Sequence, residues 1–167
     1  MNLKRSLGFG CATLLGLMTF LPVGCATRSD AKGCAPATAA SVAALGGADL
    51  KLARLFVDGR DVKLPADNAM SLRFGEAGQL AGRSAVNRFS GGYELVEQGR
   101  INWPGAGFMT TRMAGPPEAM SLERYFLTAL ASTCRLQTCE RGAVFLNADG
   151  STRLEFLKPE PGAAGAK

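Results

Sequence analysis

The chain contains no histidine. This removes at once the commonest general base and the commonest zinc ligand. Ser-His-Asp and Cys-His catalysis are therefore excluded. Long charged runs are also missing. The basic residues Lys51, Arg54, Arg60, Lys63, Arg73, Arg83, Arg88, Arg100 and Arg112 stand singly among turns and strand-like stretches. Nucleic-acid binding calls for a basic stripe or aromatic and basic residues interleaved, and neither pattern occurs. Glu94 and Glu97 are too far out of phase on a strand to act as an acid/base pair. No catalytic residue, metal site or cofactor is expected, and the chain is read as not an enzyme.

What is present first is a targeting signal. Met1 to Arg5 is a short basic start, and Ser6 to Thr27 carries no charged side chain. That sequence of regions, followed by small residues, is the layout of a secretory signal peptide. Leu21-Pro22-Val23-Gly24-Cys25 resembles the bacterial lipobox, in which a small residue precedes the cysteine that receives lipid, palmitate among its acyl chains. Pro22 stands where that pattern prefers an aliphatic residue. The resemblance implies a signal peptide over 1–24, lipidation at Cys25 and a tether facing the periplasm. Ala26 and Thr27 lack the aspartate retention signal, which implies the outer membrane. The competing readings are ordinary secretion and an uncleaved spanning helix, since roughly 20 apolar residues cross a bilayer. The formal charge is +5, and loss of Lys4 and Arg5 with the signal leaves about +3.

Of the five cysteines, Cys11 would leave with the signal and Cys25 would carry lipid. Cys34, Cys134 and Cys139 remain, an odd number for an oxidising compartment. On one extended strand Cys134 and Cys139 would lie about 17 Å apart, too far to bond each other. A bridge from Cys34 to one of them would leave a free thiol. Three cysteines without a histidine make a poor metal site.

The Ala-, Thr- and Ser-rich stretch 25–47 reads as a lipidated cysteine with a flexible linker, and order is expected from near Leu50. Over 48–159 the pattern alternates as strands do. Leu50, Leu52 and Leu55 precede an Asp58-Gly59 turn, and Ala69 to Phe74 precedes a hairpin at Gly75 to Gly78. Arg100 to Trp103 reads as another strand. Leu122, Tyr125, Phe126, Ala129 and Leu130 then fall at helical spacing, with Ser121 as a candidate N-cap. Turns at Glu140 to Gly142 and Asn147 to Gly150 separate closing strands, and 160–167 reads as a disordered tail. The expected fold is α+β: a curved antiparallel β-sheet, half-barrel-like, covered by one main helix.

Asn87-Arg88-Phe89-Ser90-Gly91-Gly92-Tyr93, then Thr111-Arg112-Met113-Ala114, then Glu123 with Phe126, Leu127 and Leu130, occur in an order that resembles the META domain, the HslJ-like family. Asn87, Phe89, Gly91, Tyr93, Thr111, Met113 and Glu123 are its family-motif residues here, structural or binding. Two departures stand out. The family often reads Gly-Cys-Asn where this chain has Ala85-Val86-Asn87, and Met-Ala-Cys where it has Met113-Ala114-Gly115. Loss of both cysteines together implies that they interact in relatives that keep them, with Cys134 and Cys139 as a candidate substitute tie.

The resemblance implies a bacterial envelope protein linked to stress response, without established enzymatic activity. The expected function is that of an envelope-anchored interaction module with a possible envelope protein partner. The alternative is a binder of a small apolar ligand or acyl chain, whose pocket would lie between sheet and helix and be lined by Phe89, Tyr93 and Phe126. Asn87 is expected to satisfy backbone groups before the Gly-Gly bend. Thr110, Thr111 and Arg112 are expected at a solvated strand edge.

Overall fold

The computed structural model describes residues 33–105 and 107–159. The signal peptide, Cys25 and the tail 160–167 lie outside the described residues. Two short elements open the described chain, strand β1 (Cys34–Pro36) and helix α1 (Ala39–Ala43). Thr38 caps α1 reciprocally: its hydroxyl accepts from Ser41 N, and Ser41 Oγ accepts from Thr38 N. Ala37, Val42 and Leu45 from this stretch are buried in the core. The flexible-linker reading therefore fails for 34–47. A stretch that looks like a tether instead packs, because Val42 and Leu45, three residues apart, and Ala37 ahead of the cap all face the core.

The remaining strands are β2 (Leu50–Val57), β3 (Arg60–Asp61), β4 (Ser71–Phe74), β5 (Gln79–Arg83), β6 (Arg88–Gly92), β7 (Glu94–Leu95), β8 (Ile101–Asn102) and β9 (Met109–Thr110). Helix α2 (Pro117–Ala131) follows, then β10 (Arg135–Cys139), β11 (Gly142–Leu146) and β12 (Arg153–Leu157). One open antiparallel sheet runs β1-β10-β11-β12-β2-β4-β5-β6-β9, with β3 paired to β2. β7 and β8 pair separately. The Arg100-to-Trp103 strand is thus β8, a short piece off the main sheet. The α+β reading holds, with a mostly antiparallel sheet under one main helix.

Turn chemistry explains the hairpins. Asp58 and Gly59 both have positive φ, 51° and 75°, the conformation that a two-residue turn of matching twist requires between β2 and β3. In β2, Leu50, Leu52 and Leu55 are all buried although strict alternation would expose Leu55. A bulge shifts the register with β12 from Leu52↔Phe156 to Arg54↔Glu155, so Ala53 is the extra residue and the phase resets.

Helix α2 starts at the proline pair: Pro116 is the N-cap and Pro117 the first helical residue. Ser121 is inside the helix and caps nothing, because Pro117 already sets the helical φ and has no N–H to satisfy. At the other end Ser132 Oγ and Thr133 Oγ1 donate to the Ala129 and Leu130 carbonyls, adding to the backbone N–H groups of Ser132 and Thr133 that reach the same oxygens. Phe126, Ala129 and Leu130 are buried, whereas Tyr125 points to solvent at 60% exposure. The buried face is therefore narrower than the sequence pattern predicts. Phe126 sits between strands, its ring 5.5 Å from Phe89 of β6 and 6.2 Å from Phe156 of β12. The helix thus covers the inner face of the sheet.

Cys34 and Cys139 are directly opposed on β1 and β10 and form a disulfide, leaving Cys134 as a free thiol. This is one of the pairings open from sequence. A Cys134–Cys139 tie is ruled out, since Cys139 is already bonded.

Candidate functional site

Four of the seven family-motif residues meet at one point. The β5–β6 hairpin turns through 84–87, and its last residue, Asn87, is buried at 2% exposure. Opposite it, the second turn of α2 brings in Glu123, also buried. Asn87 N donates to Glu123 Oε2 at 2.8 Å, and Asn87 Nδ2 donates to Oε1 at 2.8 Å. Val86 N adds a third donor to Oε2 at 3.1 Å. Ser84 Oγ lies 2.5 Å from Oε2 and 2.7 Å from the Asn87 carbonyl. Its single proton serves one acceptor at a time, and the charged one is the stronger.

The other side of Asn87 holds the chain after β9. Thr111 Oγ1 and Met113 N both donate to Asn87 Oδ1, at 2.7 and 2.8 Å, and Asn87 Nδ2 donates to the Met113 carbonyl at 3.2 Å. All four hydrogen-bonding positions of the amide are filled, so its orientation is fixed by the network. Thr111 Oγ1 in turn accepts from Arg88 N. Met113 takes part through its backbone alone, and its side chain is exposed.

Glu123 is the one buried carboxylate among the described residues. Burial alone would push its pKa up. The hydrogen bonds from Ser84, from Asn87 through backbone and side chain, and from Val86 N outweigh this and hold it below the ordinary glutamate value. The carboxylate is thus held in its ionised form, with donors on both oxygens. A shallow groove of about 370 Å³ beside Met120, Arg124, Leu127 and Thr128 reaches Glu123 from the outside of the helix.

The other motif residues serve packing. Phe89 is buried against Phe126 and Phe108. Gly91 makes room for Phe108, whose Cδ1 would lie 2.7 Å from a Cβ placed there. Tyr93 meets Phe74 edge-on at 5.6 Å, away from the Phe89–Phe126 pair. Trp103 lies 5.1 Å from Phe108 and 6.2 Å from Phe145, and its Nε1 donates to the Thr133 carbonyl. Rings occupy the space between sheet and helix in which an apolar-ligand pocket would lie. Glu94 and Glu97 are exposed and separated in structure, one on β7 and one in the turn after it. Thr110 and Arg112 are exposed at the β9 edge, as expected.

Val86 and Gly115, the two positions at which the family resemblance implies cysteine, are neighbours. A Cβ placed on Gly115 would lie 3.5 Å from Val86 Cβ and 2.7 Å from its Cγ2. This is the separation across a disulfide. The implied interaction between those cysteines is thus sterically natural, and here Val86 fills the space over Gly115.

One grouping was missed from sequence. Arg73, Arg83 and Arg88 come together on the outer face of β4, β5 and β6, around a cleft of about 710 Å³. Strand register is what shows this, because the three stand on consecutive strands and share a face only when the hairpin turns are placed correctly.

A model of the META domain matches residues 43–161. An NMR structure of a protein from Burkholderia xenovorans is similar at a TM-score of 0.58 and 22% identity, covering 75% of this chain and 90% of that one. A second NMR structure gives a TM-score of 0.50 at 22% identity, covering 70% and 93%. At this identity the likeness concerns the fold. No curated protein matches the chain.

Proposed function

Because the chain belongs to the META domain family, we propose that it is a non-enzymatic interaction module held at the bacterial envelope by a lipid on Cys25, serving under stress. The observation that carries the non-enzymatic part is the saturation of Asn87 and Glu123. The most reactive-looking polar cluster in the described protein spends its hydrogen bonds on joining hairpin, edge strand and helix. The basic start, the uncharged run and Gly24 before Cys25 support the anchor, and Ala26-Thr27 supports the outer membrane.

The fold sharpens the reading of the tether. With β1 beginning at Cys34, only the stretch from Cys25 to Cys34 is left to span the gap. Even fully extended it reaches about 30 Å. A protein partner would therefore lie close to the bilayer. The filled interior, with Phe126 against Phe89 and Phe156, works against the apolar-ligand alternative.

The test is the mass of protein gently extracted from membranes, recorded native and then denatured. The expected result is a chain starting at Cys25 with acyl groups, bound in the native spectrum to another protein. A chain starting elsewhere without lipid would overturn the anchor. A bound small apolar molecule would favour the alternative.

A further inference from the structure

Arg83 on β5 and Arg88 on β6 are register partners. Their neighbours Leu80 and Phe89 face the core, so both guanidinium groups stand on the outer face, exposed. Like charges directly opposed across strands destabilise a sheet. Among the described residues no carboxylate pairs with either. The same row continues through Ser71 on β4 to Lys51 on β2, since Arg83 opposes Ser71 and Ser71 opposes Lys51. In the next row Arg73 opposes Ala81, and Ala81 opposes Ser90. The small Ala81 in the middle leaves a hollow, the cleft of about 710 Å³. Its rim also holds Asp49, 3.8 Å from Arg73 in an exposed pair. That carboxylate offsets one cation and leaves the Arg83–Arg88 pair uncompensated.

We propose that this outer face of the sheet is a binding site for a small phosphate-bearing anion, with Arg83 and Arg88 as its clamp. Two guanidinium forks side by side match the charge and spread of a phosphate's terminal oxygens. The hydroxyls of Ser71 and Ser90, on the same face as Arg83 and Arg88 by register, border the cleft and supply donors from other directions. A tetrahedral oxyanion uses donors arriving from several sides better than a planar carboxylate does. Binding would turn an electrostatic cost of the fold into an attraction. The site stands whether or not Cys25 is lipidated.

The full chain, purified in neutral detergent micelles, tests this by NMR titration in two arms. One arm adds inorganic phosphate, and the other adds phosphatidylglycerol to the micelles. The expected result is saturable movement of the Ala81, Ser90 and Thr110 amides in at least one arm. A response to phosphate identifies a soluble source, and a response confined to the lipid identifies a headgroup. In R83A/R88A the affinity is expected to fall at least tenfold, while R60A/R124A, exposed elsewhere, binds as the wild type does. R83A/R88A is also expected to melt no lower than wild type, since it removes a repulsion. If it fails to fold, R83Q/R88Q carries the same comparison. No saturable movement in either arm, or equal binding by the clamp variant, would overturn the proposal.

Discussion

Asn87 grips Glu123 at two points, backbone N to Oε2 and side-chain Nδ2 to Oε1, each at 2.8 Å. The grip joins the β5–β6 turn to helix α2, and the same side chain holds Thr111 and Met113 beyond β9. Among the described residues neither is paired with a cation. The buried negative charge is balanced by N–H and O–H donors alone, so each donor counts.

Asn87→Asp follows directly. One aspartate oxygen would keep the bonds from Thr111 and Met113, and the other would face Glu123 Oε1 without a donor between them. Two carboxylates in one site raise the pKa of one of them. The cost, about 2–3 kcal/mol, is present at neutral pH and is relieved as pH falls through that raised value. Urea denaturation should show N87D closing its gap to wild type on acidification. A gap that widens would contradict this.

Val86 and Gly115 make a second, independent test. With 3.5 Å between Val86 Cβ and the ideal Gly115 Cβ, V86C/G115C should form a disulfide on air oxidation, read as two fewer reactive thiols by mass. Gly115→Ala alone should destabilise, by about 1–3 kcal/mol, because its methyl would overlap Val86 Cγ2. The pair V86A/G115A should recover part of that loss.

The N-terminal stretch is expected to be part of the folded unit. The Cys34–Cys139 bridge closes a loop of 105 residues, so C34S/C139S should lose about 3–5 kcal/mol. Deleting 26–47 should lower the melting temperature sharply, through loss of β1 and of the buried Ala37, Val42 and Leu45. An unchanged melting temperature for this deletion would show that the stretch is only a tether after all.

Much of this fold is legible in the residues, and the gaps have physical causes. Asp58-Gly59 and Gly75 to Gly78 announce their turns because positive φ favours glycine, and Phe126 with Leu130 announces the buried side of α2. The 34–47 stretch misleads because alanine and serine look alike in a tether and in a close-packed helix. Its one local signal is the Thr38-x-x-Ser41 spacing of the reciprocal cap. Ser121 misleads because a hydroxyl near the helix start looks like an N-cap, whereas the Pro116-Pro117 pair, also legible as a helix start, is what opens the helix.

The candidate site divides in the same way. Asn87, Thr111, Met113 and Glu123 stand out by resemblance, but their convergence depends on how the helix crosses the hairpin. The pairing of Arg83 with Arg88 depends on strand register. The first is a long-range fact that no local pattern encodes, and the second is local but needs the exact ends of the hairpin turn.

The measurement that bears most directly on the central claim, that Glu123 fastens the fold and is no reactive centre, is the unfolding free energy of Glu123→Gln across pH. Glu123 has a folded pKa below its unfolded value of about 4.3. Its contribution is therefore complete above that value and is lost as pH falls through the folded pKa. Glutamine places an N–H against Asn87 Nδ2 and removes the charge. The account predicts a loss of about 1–3 kcal/mol at pH 7, shrinking toward zero in acid. Wild-type stability at pH 7 in E123Q would contradict it.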